Sequence, residues 1–304
     1  MKHTSYAAFH VLWTKPYLAN GKSFNMNDAE ILTMVLSALM WQKYNGTIKL
    51  YTDNRGYEFI SEHGLLSLWD KGIDTEVLEN NMYPIDPEIF WAAGKLMALE
   101  TQTGPCVMLD TDLVVVRSIH KQLEQAVITA LHAEILEPDV YLHPSLLKQP
   151  VDFKFPDYYN WAASPSNTAF LYMRDESFKK FYVNESKKFM FNNSERPKEL
   201  VSQMVFAEQR MLSICADHMG FPVTHLISDP FSLSNRDVIH LWGFKSQLRE
   251  NRKIQTIYMK QLLNTVGKEF STNAILQDFL ESHFQNQISH LIPVPDIISQ
   301  DIAF

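Results

Sequence analysis

Along the first third of the chain, short apolar runs alternate with helix-spaced apolar patterns, and this predicts repeated strand–helix units. Tyr6 to Leu12 is a strand-like apolar run. Asn27 can cap a helix that carries Ile31, Leu32, Val35, Leu36, Leu39 and Met40 on one face. Ile48 to Thr52 reads as a second strand, closed by Asp53-Asn54, and a helical pattern runs from Gly56 to about Trp69. Asp74 to Leu78 reads as a third strand. Asp86 followed by Pro87 places a cap and a first-turn proline at the start of a helix that continues through Phe90, Ala93, Leu96 and Met97 to about Thr101. Gly104-Pro105 breaks it, and Cys106 to Leu109 is a wholly apolar strand that runs into Asp110.

Units of this length imply a mostly parallel sheet with helices on both faces. Right-handed crossovers bring the carboxyl ends of the strands to one edge, where such sheets bind ligands. Asp110-Thr111-Asp112 falls at such an end. Beyond Val116 the pattern changes. Val127 to Leu131 and Asn167 to Met173 are strand-like, and Glu137 to Ser166 is rich in proline and aromatics with little period, as in an ordered insertion. Glu176 to Phe191 and about Leu200 to His218 are helical. The tail from Lys245 is mainly helical and ends at the stop signal Ile292-Pro293-Val294-Pro295.

Composition narrows the partners. With 46% hydrophobic and 20% charged residues, the chain has the means to bury a core. A net charge of −8 argues against nucleic acid, which needs a basic face. It does not exclude a phosphorylated ligand, because a bound metal supplies local positive charge. Cys106 and Cys215 form neither a disulfide framework nor a zinc spacing, which suits a reducing compartment. Met1 to Trp13 lacks the pattern of a signal peptide, and no run approaches the ~18–20 apolar residues of a membrane span. The expectation is a cytoplasmic protein, with peripheral membrane contact left open.

The strongest chemical signal is Asp110-Thr111-Asp112. Two carboxylates wedged between Cys106-Val107-Met108-Leu109 and Leu113-Val114-Val115-Val116 need a partner. Hard cations such as Mg²⁺ and Mn²⁺ prefer carboxylate oxygens and bridge the oxygens of diphosphates.

The surrounding residues resemble a known group. Lys95-Leu96, then the apolar strand and Asp110-Thr111-Asp112, are similar to the donor site of metal-dependent GT-A glycosyltransferases. The nearest match is the family of glycogenin and the bacterial lipopolysaccharide galactosyltransferases. Asn167-Thr168-Ala169-Phe170-Leu171-Tyr172, Glu208-Gln209 with Leu212, and His240-Leu241-Trp242-Gly243-Phe244-Lys245 resemble that family's later segments, in its order. The resemblance implies a GT-A-like α/β fold over residues 1–245. Its nucleotide-binding half covers about 1–116 and its acceptor half about 117–245, with a helical extension, 246–304, packed on it. It also implies that Asp110, Asp112 and His240 bind Mn²⁺ or Mg²⁺, and that Lys95 and Lys245 neutralise a diphosphate. Gly243 would let the backbone come close, Asn167 and Gln209 would face the donor sugar, and Thr111 would lie within the nucleotide site. Glu208 or Gln209 would act at the reacting face. The implied partners are a nucleotide-sugar donor, UDP-sugar foremost, and a glycan or lipid-linked acceptor. Three departures stand out: Ala169 replaces a glycine, Glu208 replaces an aspartate, and the loop after His240 is one residue short.

Two other readings remain. Leu109-Asp110-Thr111-Asp112-Leu113-Val114 also fits the first motif of a haloacid-dehalogenase-type phosphatase, with Asp110 as nucleophile and Asp112 as acid/base, although that motif normally ends the first strand. A non-catalytic sugar-nucleotide or glycan-binding protein would keep the fold without turnover. Tyr158, Tyr159 and Trp161 either stack on an acceptor or pack the insertion, and Asp53 is a weaker candidate for contact with a nucleotide base.

Overall fold

The computed structural model describes residues 5–80, 83–151, 153–197, 199–230 and 237–284. The first third alternates as the sequence predicts: β1 (Tyr6–Leu12), α1 (Lys15–Ala19), α2 (Asp28–Tyr44), β2 (Gly46–Thr52), α3 (Asn54–Glu62), β3 (Ile73–Asp74), α4 (Glu76–Glu79), α5 (Ala93–Glu100) and β4 (Cys106–Leu109). Then come β5 (Leu113–Val115), α6 (His120–Leu123), β6 (Ile128–Ala130), β7 (Phe170–Met173), α7 (Glu176–Met190), α8 (Leu200–Val205) and α9 (Met211–Met219). The chain continues through β8 (Val223–His225), β9 (Val238–His240), α10 (Lys245–Glu250), α11 (Arg252–Thr265) and α12 (Ala274–Phe284).

Seven strands form one mixed, mostly parallel sheet in the order β3-β2-β1-β4-β7-β6-β8. The pairs β3/β2, β2/β1, β1/β4 and β6/β8 are parallel, and β7 runs antiparallel to both neighbours. That reversal brings the start of β7 to the carboxyl end of β4, where the Asp110 amide donates to the Ala169 carbonyl at 2.8 Å. Helices cover both faces. Against one, α2 buries Ile31, Leu32, Val35 and Trp41, joined by Tyr258, Leu262 and Phe279 from the C-terminal helices. Against the other lie Leu96 and Leu99 of α5, Phe178 and Tyr182 of α7, and Leu212 of α9.

Several boundaries differ from expectation for local reasons. The third strand stops at Asp74, because its carboxylate accepts the Val77 amide at 3.2 Å and turns the chain into α4. The helix expected from Pro87 begins at Ala93. Before it, Asp86 accepts the Glu88 amide on its side chain and the Phe90 amide on its carbonyl, making separate turns. α3 ends at Glu62, where Gly64 adopts φ +68° and the Leu65 amide reaches back to the Ile60 carbonyl at 3.0 Å. The stop signal at Ile292 to Pro295 lies outside the described residues.

Among the described residues of 137–166, the helical structure is a single 3₁₀ turn, Pro144–Leu146. Aromatic packing fixes this stretch: Phe155 contacts Trp161, Phe189 and Phe206, and Trp161 stacks on Phe206. The hydroxyls of Tyr158 and Tyr159 both donate to Glu185 of α7 at 2.8 and 2.9 Å. Among the described residues, no helix is long and apolar enough to cross a membrane.

Candidate metal site and adjoining cavity

β4 delivers Asp110 at its carboxyl end, and the Leu113 amide closes a turn onto the Asp110 carbonyl at 3.1 Å. The chain then enters β5, which pairs antiparallel with β9, with Leu113 opposite His240. This distant pairing brings the imidazole to the aspartates. One ligand atom from each of Asp110, Asp112 and His240 lies within 4.8 Å of the others, and His240 Nε2 is 3.8 Å from Asp112 Oδ2.

Two lysines balance the carboxylates. Lys95 Nζ lies 2.6 Å from Asp110 Oδ1 and 2.9 Å from Glu208 Oε1, while Lys245 Nζ lies 2.8 Å from Asp112 Oδ2. Burial alone would push the Asp112 pKa up. The charges of Lys245 and Lys95, joined by His240 where it is protonated at acid pH, outweigh that and hold it down at about 2. Burial likewise depresses the His240 pKa, against the pull of Asp112 and Asp110, so the imidazole is neutral near pH 7, the form that ligates metals. Burial disfavours the Lys95 and Lys245 cations, yet the neighbouring carboxylates keep both above the ordinary lysine value.

Beside this cluster, a cavity of about 790 Å³ opens at the carboxyl ends of β1 and β4, a volume suited to a small organic ligand. Asp110, Thr111, Asp112, Lys95 and Lys245 line it on one side, with Trp13, Tyr17, Trp91 and Arg249 around the rest. Trp13 packs closely on the backbone of Gly94, where an added Cβ would stand 3.0 Å from the Trp13 side chain. The Trp13 indole N–H is buried with no acceptor among the described residues. Arg249 grips Glu30 through both oxygens, at 2.7 and 3.3 Å.

The sequence did not single out these wall residues. Trp13 directly follows the end of β1, and Arg249 follows Lys245 by four residues on α10 and so shares its face. Either fact could have flagged them.

The other candidate residues fall into two groups. Glu208 lies on a π-helical turn, Phe206–Arg210, a distortion common at functional sites. Its side chain is buried against Lys95, and its carbonyl accepts from Tyr182 Oη at 2.8 Å. Lys95, Asp110, Asp112, Glu208, His240 and Lys245 thus form one charged cluster.

The remaining side chains have other partners. Gln209 Oε1 accepts from Tyr141 Oη at 2.5 Å. Asn167 donates to Glu134 at 2.8 Å and accepts the Ala169 amide at 3.0 Å. Thr111 is half-buried in the cavity wall. Gly243 is exposed with open space around its Cα, and the left-handed backbone in that loop belongs to Trp242, at φ +31°. Asp53 is buried and saturated. It accepts from Thr14 N and Oγ1, both at 2.8 Å, from Gly56 N at 2.9 Å and from Lys15 N at 3.1 Å, so protein donors occupy both of its oxygens.

A model of the family described as "Family of unknown function (DUF6734)" matches residues 8–293. No curated protein matches the chain. Among solved structures, the chain is similar to mouse xyloside xylosyltransferase 1 in its apo form, at 13% identity and TM-score 0.37 over 72% of this chain and 85% of that one. It is also similar to an active-site mutant of LgtC, at 11% identity and TM-score 0.41 over 78% and 87% of the two chains. A third is 4-diphosphocytidyl-2C-methyl-D-erythritol synthase from Anaerococcus prevotii DSM 20548, at 11% identity and TM-score 0.35 over 77% and 94%. Likenesses of this size leave the chemistry to the chain's own residues.

Proposed function

The chain belongs to DUF6734, a family of unknown function, and we propose that it is a metal-dependent glycosyltransferase that moves a sugar from a nucleotide-diphosphate donor, UDP-sugar foremost, to a glycan or lipid-linked acceptor. One observation carries this reading: two carboxylates and a neutral imidazole converge at the rim of a ligand-sized cavity at the carboxyl edge of the sheet. Two carboxylate oxygens and one imidazole nitrogen suit Mn²⁺, while the carboxylates alone also suit Mg²⁺. Asp110, Asp112 and His240 would hold the ion, whose positive charge would be supplied to a diphosphate leaving group.

The protein's own groups have separable tasks. Lys245 heads α10, lines the cavity and would counter diphosphate charge. Lys95 holds Glu208 and Asp110 in register, so it would fix the carboxylate at the reacting face. Trp13 and Trp91 would offer ring faces to a flat base, and Thr111 would border the nucleotide. In this reading Gly243 admits the diphosphate to the backbone. Asn167 and Gln209 would approach the donor sugar after exchanging their present partners, Glu134 and Tyr141.

Calorimetric titration of UDP with Mn²⁺ and with EDTA, on the wild type and Asp112→Asn, tests the reading. Binding that needs Mn²⁺ and is lost in the variant supports it. No binding of UDP or GDP under either condition overturns it.

A second reading has its own support. The Glu208 side chain is 3% exposed and pinned by Lys95, so this carboxylate does not stand free for an acceptor. That favours a sugar-nucleotide-binding protein without turnover. Release of UDP from a UDP-sugar separates the two: turnover supports the enzyme, and tight binding without turnover supports the binding protein. The phosphatase reading gains nothing comparable, because its aspartates follow the fourth strand of the chain and not the first.

A further inference from the structure

The β5–β9 pair that brings Asp112 and His240 together is short, three residues a side. Its ladder bonds fall at alternate positions: Leu241 N donates to Asp112 O at 3.1 Å and Val116 N to Asp237 O at 2.9 Å. Leu113 and His240 therefore form a non-hydrogen-bonded pair, and the Leu113 carbonyl turns away from β9 toward α2. Leu113 is fully buried. A carbonyl there needs a donor from the protein.

Ser37, in the middle of α2 and fully buried, supplies it. Its Oγ donates to Leu113 O at 2.5 Å. The serine oxygen is itself 3.1 Å from His10 Nε2, and the Trp69 indole N–H donates to His10 Nδ1 at 3.2 Å. The directions leave no choice. An indole nitrogen only donates, so Nδ1 of His10 accepts. Burial holds that imidazole neutral, so Nε2 carries the proton and donates to Ser37, whose own proton goes to the carbonyl. The chain Trp69, His10, Ser37, Leu113 is one directed relay in a single tautomer.

We propose that Trp69, His10 and Ser37 are positioning residues, which fix the β5 backbone between the two candidate ligands Asp112 and His240 and so hold the metal site in a binding geometry. The proposal rests on the metal-site reading above. The relay runs through three elements of the main core, β1, α2 and the segment after α3, and ends on the Leu113–Val114 peptide, the first within β5. Outer partners of this kind are worth roughly 10–100-fold in metal affinity.

The test uses the full chain in three forms: wild type, Ser37→Ala and Thr33→Val. Thr33 lies one turn earlier on α2 and also carries a buried hydroxyl, bonded to Ala29 O and Tyr258 Oη, so its variant controls for loss of a buried hydrogen bond away from β5. Two quantities are read: Mn²⁺ affinity, by loss of the free-ion paramagnetic signal, and amide exchange of Leu241 relative to amides of β1. In Ser37→Ala, Mn²⁺ binding weakens about tenfold, and Leu241 exchanges faster while β1 does not. Thr33→Val changes neither. Unchanged exchange at Leu241, or faster exchange with unchanged Mn²⁺ affinity, overturns the relay as a positioning device. If the wild type binds no Mn²⁺, the metal-site reading fails, and the exchange of Leu241 alone decides whether the relay fixes β5.

Discussion

Lys245 Nζ lies 2.8 Å from Asp112 Oδ2 at the rim of the cavity, on the oxygen that a divalent ion would also seek. The ammonium and the ion therefore compete when the ion comes alone and cooperate when it comes with a diphosphate. Lys245→Met should raise the affinity for Mn²⁺ alone severalfold and weaken UDP in the presence of Mn²⁺ about tenfold, or ~1.4 kcal/mol. Paired titrations of the ion and of the nucleotide check the opposite signs. Equal weakening of both would show that the lysine acts only through stability.

Lys95 and Glu208 differ in what each leaves behind. Lys95→Met strands a Glu208 side chain that is 3% exposed and removes the partner of Asp110. Breaking a buried pair from one side costs ~3–5 kcal/mol. Glu208→Gln keeps Lys95 paired with Asp110 and should cost only ~1 kcal/mol. Urea denaturation separates the two. If Glu208 acts at the reacting face, Glu208→Gln also lowers donor turnover on the order of 10²-fold while UDP still binds.

The strand that leads into the candidate site was legible because Cys106 to Leu109 is an uninterrupted apolar run closed by the polar Asp110. Asp110 and Asp112 were legible as a candidate pair because carboxylates between apolar runs demand partners, whereas His240 was reached only through the resemblance. Lengths near turns were not. Asp74 and Asp86 bond amides a few residues ahead and redirect the chain, and one residue type serves as strand end, helix cap or turn. The cavity wall was hidden more deeply. Trp13, Trp91 and Arg249 meet only through the fold, and nothing near Ser37 in sequence shows that its hydroxyl reaches Leu113. Asp53 shows the converse limit: its place at a strand end suggests a ligand contact, and nothing in the sequence shows that four protein donors fill its oxygens.

His10 should leave a signature in the pH dependence of stability. Burial lowers its pKa from 6.5 to about 3. Between those values the unfolded chain binds a proton that the folded chain does not, so stability is full above pH 6.5 and falls as pH drops toward 3. The slope from this group is ~1.4 kcal/mol per pH unit. His10→Phe removes that share. The variant should be less stable than wild type at pH 7, and the gap should narrow as pH falls to 4. Denaturant midpoints at four or five pH values check it. A constant gap would mean that His10 takes up its proton at the same pH in the folded and the unfolded chain.

Asp53 and Asp112 are both buried aspartates at strand ends, yet they should fail differently. Asp53 collects three backbone amides and the Thr14 hydroxyl, tying the end of β1 to the start of α3 beneath the cavity. In Asp53→Asn the new amide group must face at least one of those donors, and an unsatisfied buried group costs ~1–3 kcal/mol. The denaturation midpoint should fall by that amount, while Mn²⁺ and UDP affinities measured well below it stay within twofold or so of wild type, a difference worth under ~0.5 kcal/mol. Asp112→Asn should do the reverse, abolishing metal-dependent binding. Loss of UDP affinity in Asp53→Asn at unchanged stability would instead mean that this carboxylate exchanges its protein donors for the nucleotide.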